Sequence, residues 1–252
     1  MFSRFAEDNI TTWLRKERRK PLVLRGARQV GKSTLVREIA QKNNLTLCEV
    51  NLERHMDLDE IFATLDLDLI LREIEGITGT SPNQPDTVLF LDEIQATPQA
   101  LRALRYFYED LPGLPVLAAG SLLEFALAEV TFSMPVGRLE YFHLGPMTFK
   151  EFLLACEPSL CRFITIYDSG DTFPASIHKK LISRYREYLF AGGMPEALQV
   201  YHASRSLEEV AAIHRSIADT YQDDFAKYAR GRDLALLQRV LNSKINGSPF
   251  PE

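Results

Sequence analysis

Residues 26–33 read Gly26-Ala27-Arg28-Gln29-Val30-Gly31-Lys32-Ser33, and this stretch decides the fold. It satisfies the pattern G-x-x-x-x-G-K-[ST], and each part of the pattern has a physical reason. The glycines let the backbone turn until the successive N–H groups of residues 27–31 face an anion. A helix opening at Lys32 adds the positive end of its dipole. Lys32 brings a full charge to the β- and γ-phosphates of a nucleotide, and the Ser33 hydroxyl is a ligand for Mg²⁺. Thr34 is placed to touch the α-phosphate. A chance match would lack the required setting, but here the setting is complete. Leu22-Val23-Leu24 precedes the loop as a short apolar strand, and Leu35, Val36, Ile39 and Ala40 follow at helical spacing.

A second motif lies 60 residues beyond Lys32, where Val88-Leu89-Phe90-Leu91 runs into Asp92-Glu93. A strand buried on both faces thereby delivers two carboxylates to its C-terminal edge, where open α/β sheets bind ligands. Asp92 is predicted to hold Mg²⁺, directly or through water. Glu93, turned the other way, is predicted to orient and deprotonate an attacking water. Without the phosphate loop, the same pair would read as an ordinary turn. The next buried strand, Val116–Ala119, ends at Gly120-Ser121. There Ser121 reads equally well as a hydroxyl near the γ-phosphate or as a helix N-cap.

Further out, strands alternate with helices. A first helix is predicted from Arg4 to Arg19, stopped by Pro21, and a second strand over Leu45–Leu52. One helical stretch is predicted from Leu58 to Glu75, followed by a loop at 81–86. Thr97 with Pro98 reads as an N-cap and first-turn proline, opening a helix whose apolar face is Leu101, Leu104, Phe107, Tyr108 and Leu111. Leu139–Leu144 is a fifth strand. The alternation predicts an α/β fold with a mostly parallel, doubly wound sheet. Past Pro146 the pattern turns helical to about Asp233, interrupted at Ser169-Gly170-Asp171 and at Gly192-Gly193-Met194-Pro195. That change divides the chain into a core at 1–146 and a smaller helical unit at 147–252.

Composition narrows the function classes. With 46% hydrophobic and 25% charged residues over 252 positions, the chain can bury a sizeable core and is not a disordered or fibrous type. A formal charge of −5 offers no general field for nucleic acid, whose binding is left undecided. The one dense basic run, Arg15-Lys16-Glu17-Arg18-Arg19-Lys20, reads as the solvated end of the first helix. No apolar run is long enough for a membrane span, and no signal-peptide core follows Met1. Three cysteines without zinc spacing suit a reducing compartment, so the cytoplasm is expected. The five histidines are scattered, which leaves a metalloenzyme without a ligand set.

Five runs taken in order, GARQVGKSTL (26–35), FLDEIQ (90–95), AAGSLLEF (118–125), VGRLEYFHLGPMTFKEF (136–152) and YLFAGGMPEA (188–197), resemble a family of prokaryotic AAA-type ATPases. That family is related to the archaeal-type and STAND NTPases. The resemblance spans about Thr12 to Asp233. It implies an ASCE-type P-loop fold, with the strand ending at Gly120-Ser121 lying between the loop strand and the Asp92 strand. It implies a sensor-like role for Ser121 and a γ-phosphate contact for Arg138, on a turn at Gly137 preceded by Pro135. The bare residues also allow Arg138 to be a surface side chain. Gly193-Met194-Pro195 resembles the lid turn that lies close to the nucleotide, although a helix C-cap followed by a proline start reads the same way. Members of that family continue past position 252 into another domain, so the resemblance implies a chain truncated before it.

The leading expectation is an ATPase, using ATP and Mg²⁺, that couples hydrolysis to motion of the helical unit. The alternative is an ATP-dependent binding switch with little intrinsic turnover. A GTPase is disfavoured because no Asn-Lys-x-Asp motif occurs. Adjacent Asp92 and Glu93 suit activation of water better than transfer to a bound acceptor, which disfavours a small-molecule kinase. A second copy of the chain or another protein is the expected partner besides ATP.

Overall fold

The computed structural model describes residues 2–121, 123, 137–167, 172 and 174–228. The strands are β1 (Leu22–Arg25), β2 (Thr46–Asn51), β3 (Thr87–Asp92), β4 (Val116–Gly120) and β5 (Glu140–His143). They form one sheet in the order β2-β3-β4-β1-β5, and every pairing is parallel. β4 therefore lies between β3 and β1, the order that the resemblance implied. All six residues of β3 and all five of β4 are buried. These central strands are covered on both faces, which is why they read as unbroken apolar runs.

Each face of the sheet has its own core. On one side α2 (Lys32–Lys42) lays Leu35, Val36 and Ile39 against Leu24, Phe90 and Leu117, with Ile10 and Trp13 of α1 (Ala6–Leu14) completing the layer. On the other, α3 (Leu58–Ala63), α4 (Leu67–Thr78) and α5 (Pro98–Asp110) pack Phe62, Ile70, Ile74, Leu104 and Phe107 against Val23, Leu89 and Leu91.

Three local expectations need correction. The first helix ends at Leu14, because the Trp13 indole N–H donates to the Lys20 carbonyl at 2.9 Å and turns the chain back. The basic run that follows lies beyond the helix but is solvated as expected, with Arg15, Lys16, Glu17 and Arg18 all exposed. Lys16 pairs with Glu140 at 2.8 Å, Arg18 lies 5.4 Å from the Tyr108 ring centroid, and Arg19 donates to the carbonyls of Leu14 and Gly113. The stretch from Leu58 to Glu75 is two helices. Leu65 takes a left-handed φ of 59°, and Asp66 then caps α4 by accepting from the Leu69 N–H at 3.1 Å. Thr97 does precede Pro98 at the start of α5, but its buried hydroxyl makes no capping bond.

Beyond the sheet come α6 (Phe149–Cys156), α7 (Pro158–Ile166), α8 (Ala175–Ala191), α9 (Pro195–Ser204) and α10 (Leu207–Tyr228). Thr148 and Glu151 form a reciprocal capping box that opens α6. Phe152, Leu153, Leu198, Tyr201 and Val210 make a third core, against which Phe2 also packs. The chain start thus crosses from the sheet to the helical unit. The expected interruption at 169–171, Pro135 before the Arg138 turn and the stretch at 229–252 lie outside the described residues.

Candidate functional site

The phosphate loop leaves β1 at Gly26, whose φ of 150° and surroundings both demand glycine. A Cβ there would sit 2.1 Å from the Leu144 carbonyl oxygen. Gly31, at φ 90°, ends the loop immediately before α2. Between them Gln29 also takes a left-handed φ, of 64°, so the loop stores backbone strain where it must curl. Lys32 opens α2, and its ammonium reaches back across the loop to donate to the carbonyls of Gly26 and Ala27, both at 2.9 Å. Burial pushes the Lys32 pKa down, and the nearby Arg28 charge adds to this. Glu93 and Asp92 oppose the shift without reversing it. The ammonium is therefore desolvated and aimed inward, where a phosphate would gain most from it.

Ser33 and Asp92 meet although 59 residues separate them: the Ser33 hydroxyl donates to Asp92 Oδ2 at 2.8 Å. The other oxygen, Oδ1, accepts the Glu93 N–H at 3.1 Å. Burial raises the Asp92 pKa and the Ser33 hydrogen bond counteracts part of this. Glu93 sits in a left-handed conformation, φ 53° and ψ 45°, which turns its carboxylate away from Asp92 and toward the cleft. There its Oε2 accepts from the Gln95 side chain. Gln95 also lies against the next strand end, since a Cβ on Gly120 would come within 2.6 Å of Gln95 Oε1. Ser121 follows at 1% exposure, with no hydrogen-bond partner for its hydroxyl among the described residues.

These groups open onto a cleft of about 810 Å³ lined by Arg28, Gln29, Gly31, Lys32, Ser33, Thr34 and Glu93 on the sheet side. Pro195, Gln199 and His202 of α9 face them across it. The turn at Gly193-Met194-Pro195 is a helix C-cap at Gly192 followed by a proline start at Pro195, and it lies against the phosphate loop. Its Gly193 carbonyl accepts the Met147 N–H at 2.6 Å, and Pro195 reaches within 3.6 Å of where a Cβ on Gly31 would stand.

Two contributors were not visible in the sequence. Arg4 donates to the carbonyls of Val30 (2.9 Å) and Gly145 (2.7 Å) and pairs with Glu151 at 3.0 Å, tying the loop to α6. On α10, the Tyr221 hydroxyl donates to the Arg28 carbonyl at 3.1 Å and Asp224 pairs with the Arg28 guanidinium at 2.6 Å. No sequence period signals contacts of that range.

Arg138 is not brought to this cleft. It lies just ahead of β5, whose Glu140 pairs with Leu22, the first residue of β1. The phosphate loop leaves the other end of β1, about 13 Å away at some 3.3 Å per residue. The Arg138 guanidinium instead pairs with Glu109 near the end of α5 at 2.9 Å, with its side chain 45% exposed. The γ-phosphate contact that the resemblance implies for Arg138 was open to its own chain or a neighbour, and the strand direction keeps the side chain away from the loop of its own chain.

The strand order and the loop together define a P-loop NTPase fold of the ASCE type. Within that class the chain belongs to the AAA domain family, whose model matches residues 18–153. Residues 182–246 match a domain of unknown function (DUF8612). Among solved structures the chain is similar to PCH-2 of C. elegans, with 16% identity and a TM-score of 0.40. That match covers 78% of this chain, which spans 59% of the length of PCH-2. No curated protein matches the chain. Among the described residues, no helix is long and apolar enough to cross a membrane, and no cluster of three metal-binding side chains occurs.

Proposed function

We propose that the chain binds ATP in the cleft beneath α9 and hydrolyses it with Mg²⁺. The observation that carries this reading is the Ser33–Asp92–Glu93 constellation beside the desolvated ammonium of Lys32. The amides of Ala27, Arg28, Gln29, Val30 and Gly31 would cradle the phosphates, with Thr34 at the α-phosphate. Lys32 would leave the loop carbonyls for the β- and γ-phosphates. A hydroxyl and a carboxylate oxygen 2.8 Å apart are hard donors suited to Mg²⁺, which usually takes one or two protein ligands and keeps several waters. Mg²⁺ there would neutralise charge building on the phosphate oxygens. Glu93, which Gln95 orients, would take a proton from the attacking water. Ser121 would hold the γ-phosphate through its unused hydroxyl.

Arg138, at the end of the sheet opposite its own loop, is suited to a neighbour's nucleotide. That reading requires a second copy of the chain as partner. Closure of the helical unit over the core would bring Pro195, which lines the cleft opposite Gly31, onto the phosphate loop, coupling nucleotide state to lid position. Three free cysteines fit a cytoplasmic setting. The alternative, a switch that holds ATP and turns it over slowly, uses the same groups. Turnover and particle size measured together, with and without ATP and Mg²⁺, decide between the readings. Hydrolysis that needs Mg²⁺ and Glu93 supports the enzyme, and tight binding without turnover supports the switch.

A further inference from the structure

The third residue of the phosphate loop is tied to a helix almost two hundred positions away. Arg28 and Asp224 form an ion pair at 2.6 Å with side-chain exposures of 24% and 10%. Tyr221, one turn earlier on α10, donates its hydroxyl to the Arg28 carbonyl at 3.1 Å. Thr220 of the same helix lines the nucleotide cleft together with Arg28, Lys32 and Glu93. α10 thus touches the loop through both the backbone and the side chain of one residue, within the cleft itself.

The chemistry of that placement is competitive. A guanidinium binds carboxylate and phosphate with the same planar fork. Arg28 lines the same cleft as Lys32 and Glu93, so its guanidinium stands within the space a bound nucleotide would enter. A nucleoside triphosphate brings a terminal phosphate into that space, with more negative charge than one carboxylate. A diphosphate, seated deeper on Lys32 and the loop amides, does not reach as far.

We propose that Arg28 discriminates triphosphate from diphosphate, and that Asp224 on α10 competes with the terminal phosphate for it. This rests on the nucleotide reading of the cleft and adds how that site is regulated. Binding of a triphosphate draws Arg28 off Asp224 and loosens the end of α10. By linkage, anything that displaces α10 tightens triphosphate binding by the same factor. Asp224 is a positioning residue acting through Arg28, which is the group that meets the phosphate.

The test is calorimetric binding of the non-hydrolysable imido analogue of ATP and of ADP, both with Mg²⁺, to the wild-type chain, Asp224→Asn, Arg28→Ala and the double variant. Asp224→Asn is expected to bind the triphosphate analogue about fivefold or more tightly, the lower end of typical couplings, with ADP changed less than about twofold. Arg28→Ala is expected to lose preference for the triphosphate, and the double variant to match Arg28→Ala. Hydrogen exchange on the wild-type chain gives a readout free of any folding defect: the triphosphate analogue, and not ADP, should speed exchange over residues 215–224. Weaker or unchanged triphosphate binding by Asp224→Asn, or equal exchange with the two nucleotides, overturns the inference and leaves the ATP site standing. A wild-type chain that binds neither nucleotide removes the site and this inference together.

Discussion

The hydroxyl of Ser33 donates to Asp92 Oδ2 across 2.8 Å, joining the first turn of α2 to the last residue of β3. A carboxylate from one motif and a hydroxyl from the other thereby stand ready beside the Lys32 ammonium. Lys32→Ala is expected to weaken Mg-ATP binding by about 10- to 100-fold, the range for losing one charge-assisted contact, while the chain stays folded. Asp92→Asn should lower affinity only when Mg²⁺ is present. Calorimetry with and without the metal measures both, and unchanged affinity in folded Lys32→Ala protein would remove the site.

Glu93→Gln keeps the size and hydrogen-bonding capacity of the side chain but removes its basicity. Binding of ATP should persist, and steady-state hydrolysis should fall about 10²- to 10⁴-fold, the usual effect of losing a general base. Gln95→Ala, which frees the Glu93 carboxylate from its partner, should lower turnover less. Wild-type turnover in Glu93→Gln would assign proton transfer elsewhere and favour the switch.

Because Arg138 pairs with Glu109 of α5 at the end of the sheet opposite the phosphate loop, its effect on hydrolysis should depend on assembly. Specific activity is expected to rise with protein concentration. Arg138→Ala should lower turnover much more than ATP affinity. Mixing Arg138→Ala with Lys32→Ala protein should restore part of the activity, since each supplies what the other lacks. Wild-type rates for Arg138→Ala at every concentration would return the side chain to the surface.

Arg4 and Glu151 form the most enclosed ion pair among the described residues, with side-chain exposures of 8% and 4%. Burial alone would raise the Glu151 pKa. The N–H groups of Thr148 and Phe5 and the Arg4 charge outweigh it, and the pKa ends below the ordinary glutamate value. The lowered folded-state value means that this stabilisation is full above the unfolded value of about 4.3 and is lost as pH falls through the folded one. Glu151→Gln should cost about 3–5 kcal/mol at neutral pH by leaving Arg4 buried and uncompensated. It should also flatten the acid limb of the stability curve. Denaturant melts at pH 7 and pH 3 check both, and equal losses at the two values would contradict the sign.

What was legible in the sequence was whatever is contiguous. The loop at 26–33 and the run into Asp92-Glu93 carry their chemistry within a few residues, and the strands that bear them announce themselves as apolar runs. The strand order behind the ASCE reading came with the family resemblance. The break between α3 and α4 was hidden because Leu65, a residue that rarely adopts φ > 0, makes the turn. The setting of Arg138 depends on which end of β5 faces the loop, and that follows from register with β1 rather than from residues near 138. Arg4, Tyr221 and Asp224 reach the loop only through tertiary contacts, which leave no mark in local spacing.

The chain has a single tryptophan, and Trp13 is 3% exposed between α1 and the face of the sheet that α2 covers. Its emission should therefore be blue and insensitive to soluble quenchers, and should redden only when that layer melts. Changes confined to residues 147–228, where Tyr185, Tyr188 and Tyr201 cluster around Phe149 and Phe152, would leave the indole signal unmoved while altering the tyrosine bands. One cuvette then offers an indole signal that reports the sheet alone, beside tyrosine bands to which Tyr106, Tyr108 and Tyr141 of the sheet part also contribute.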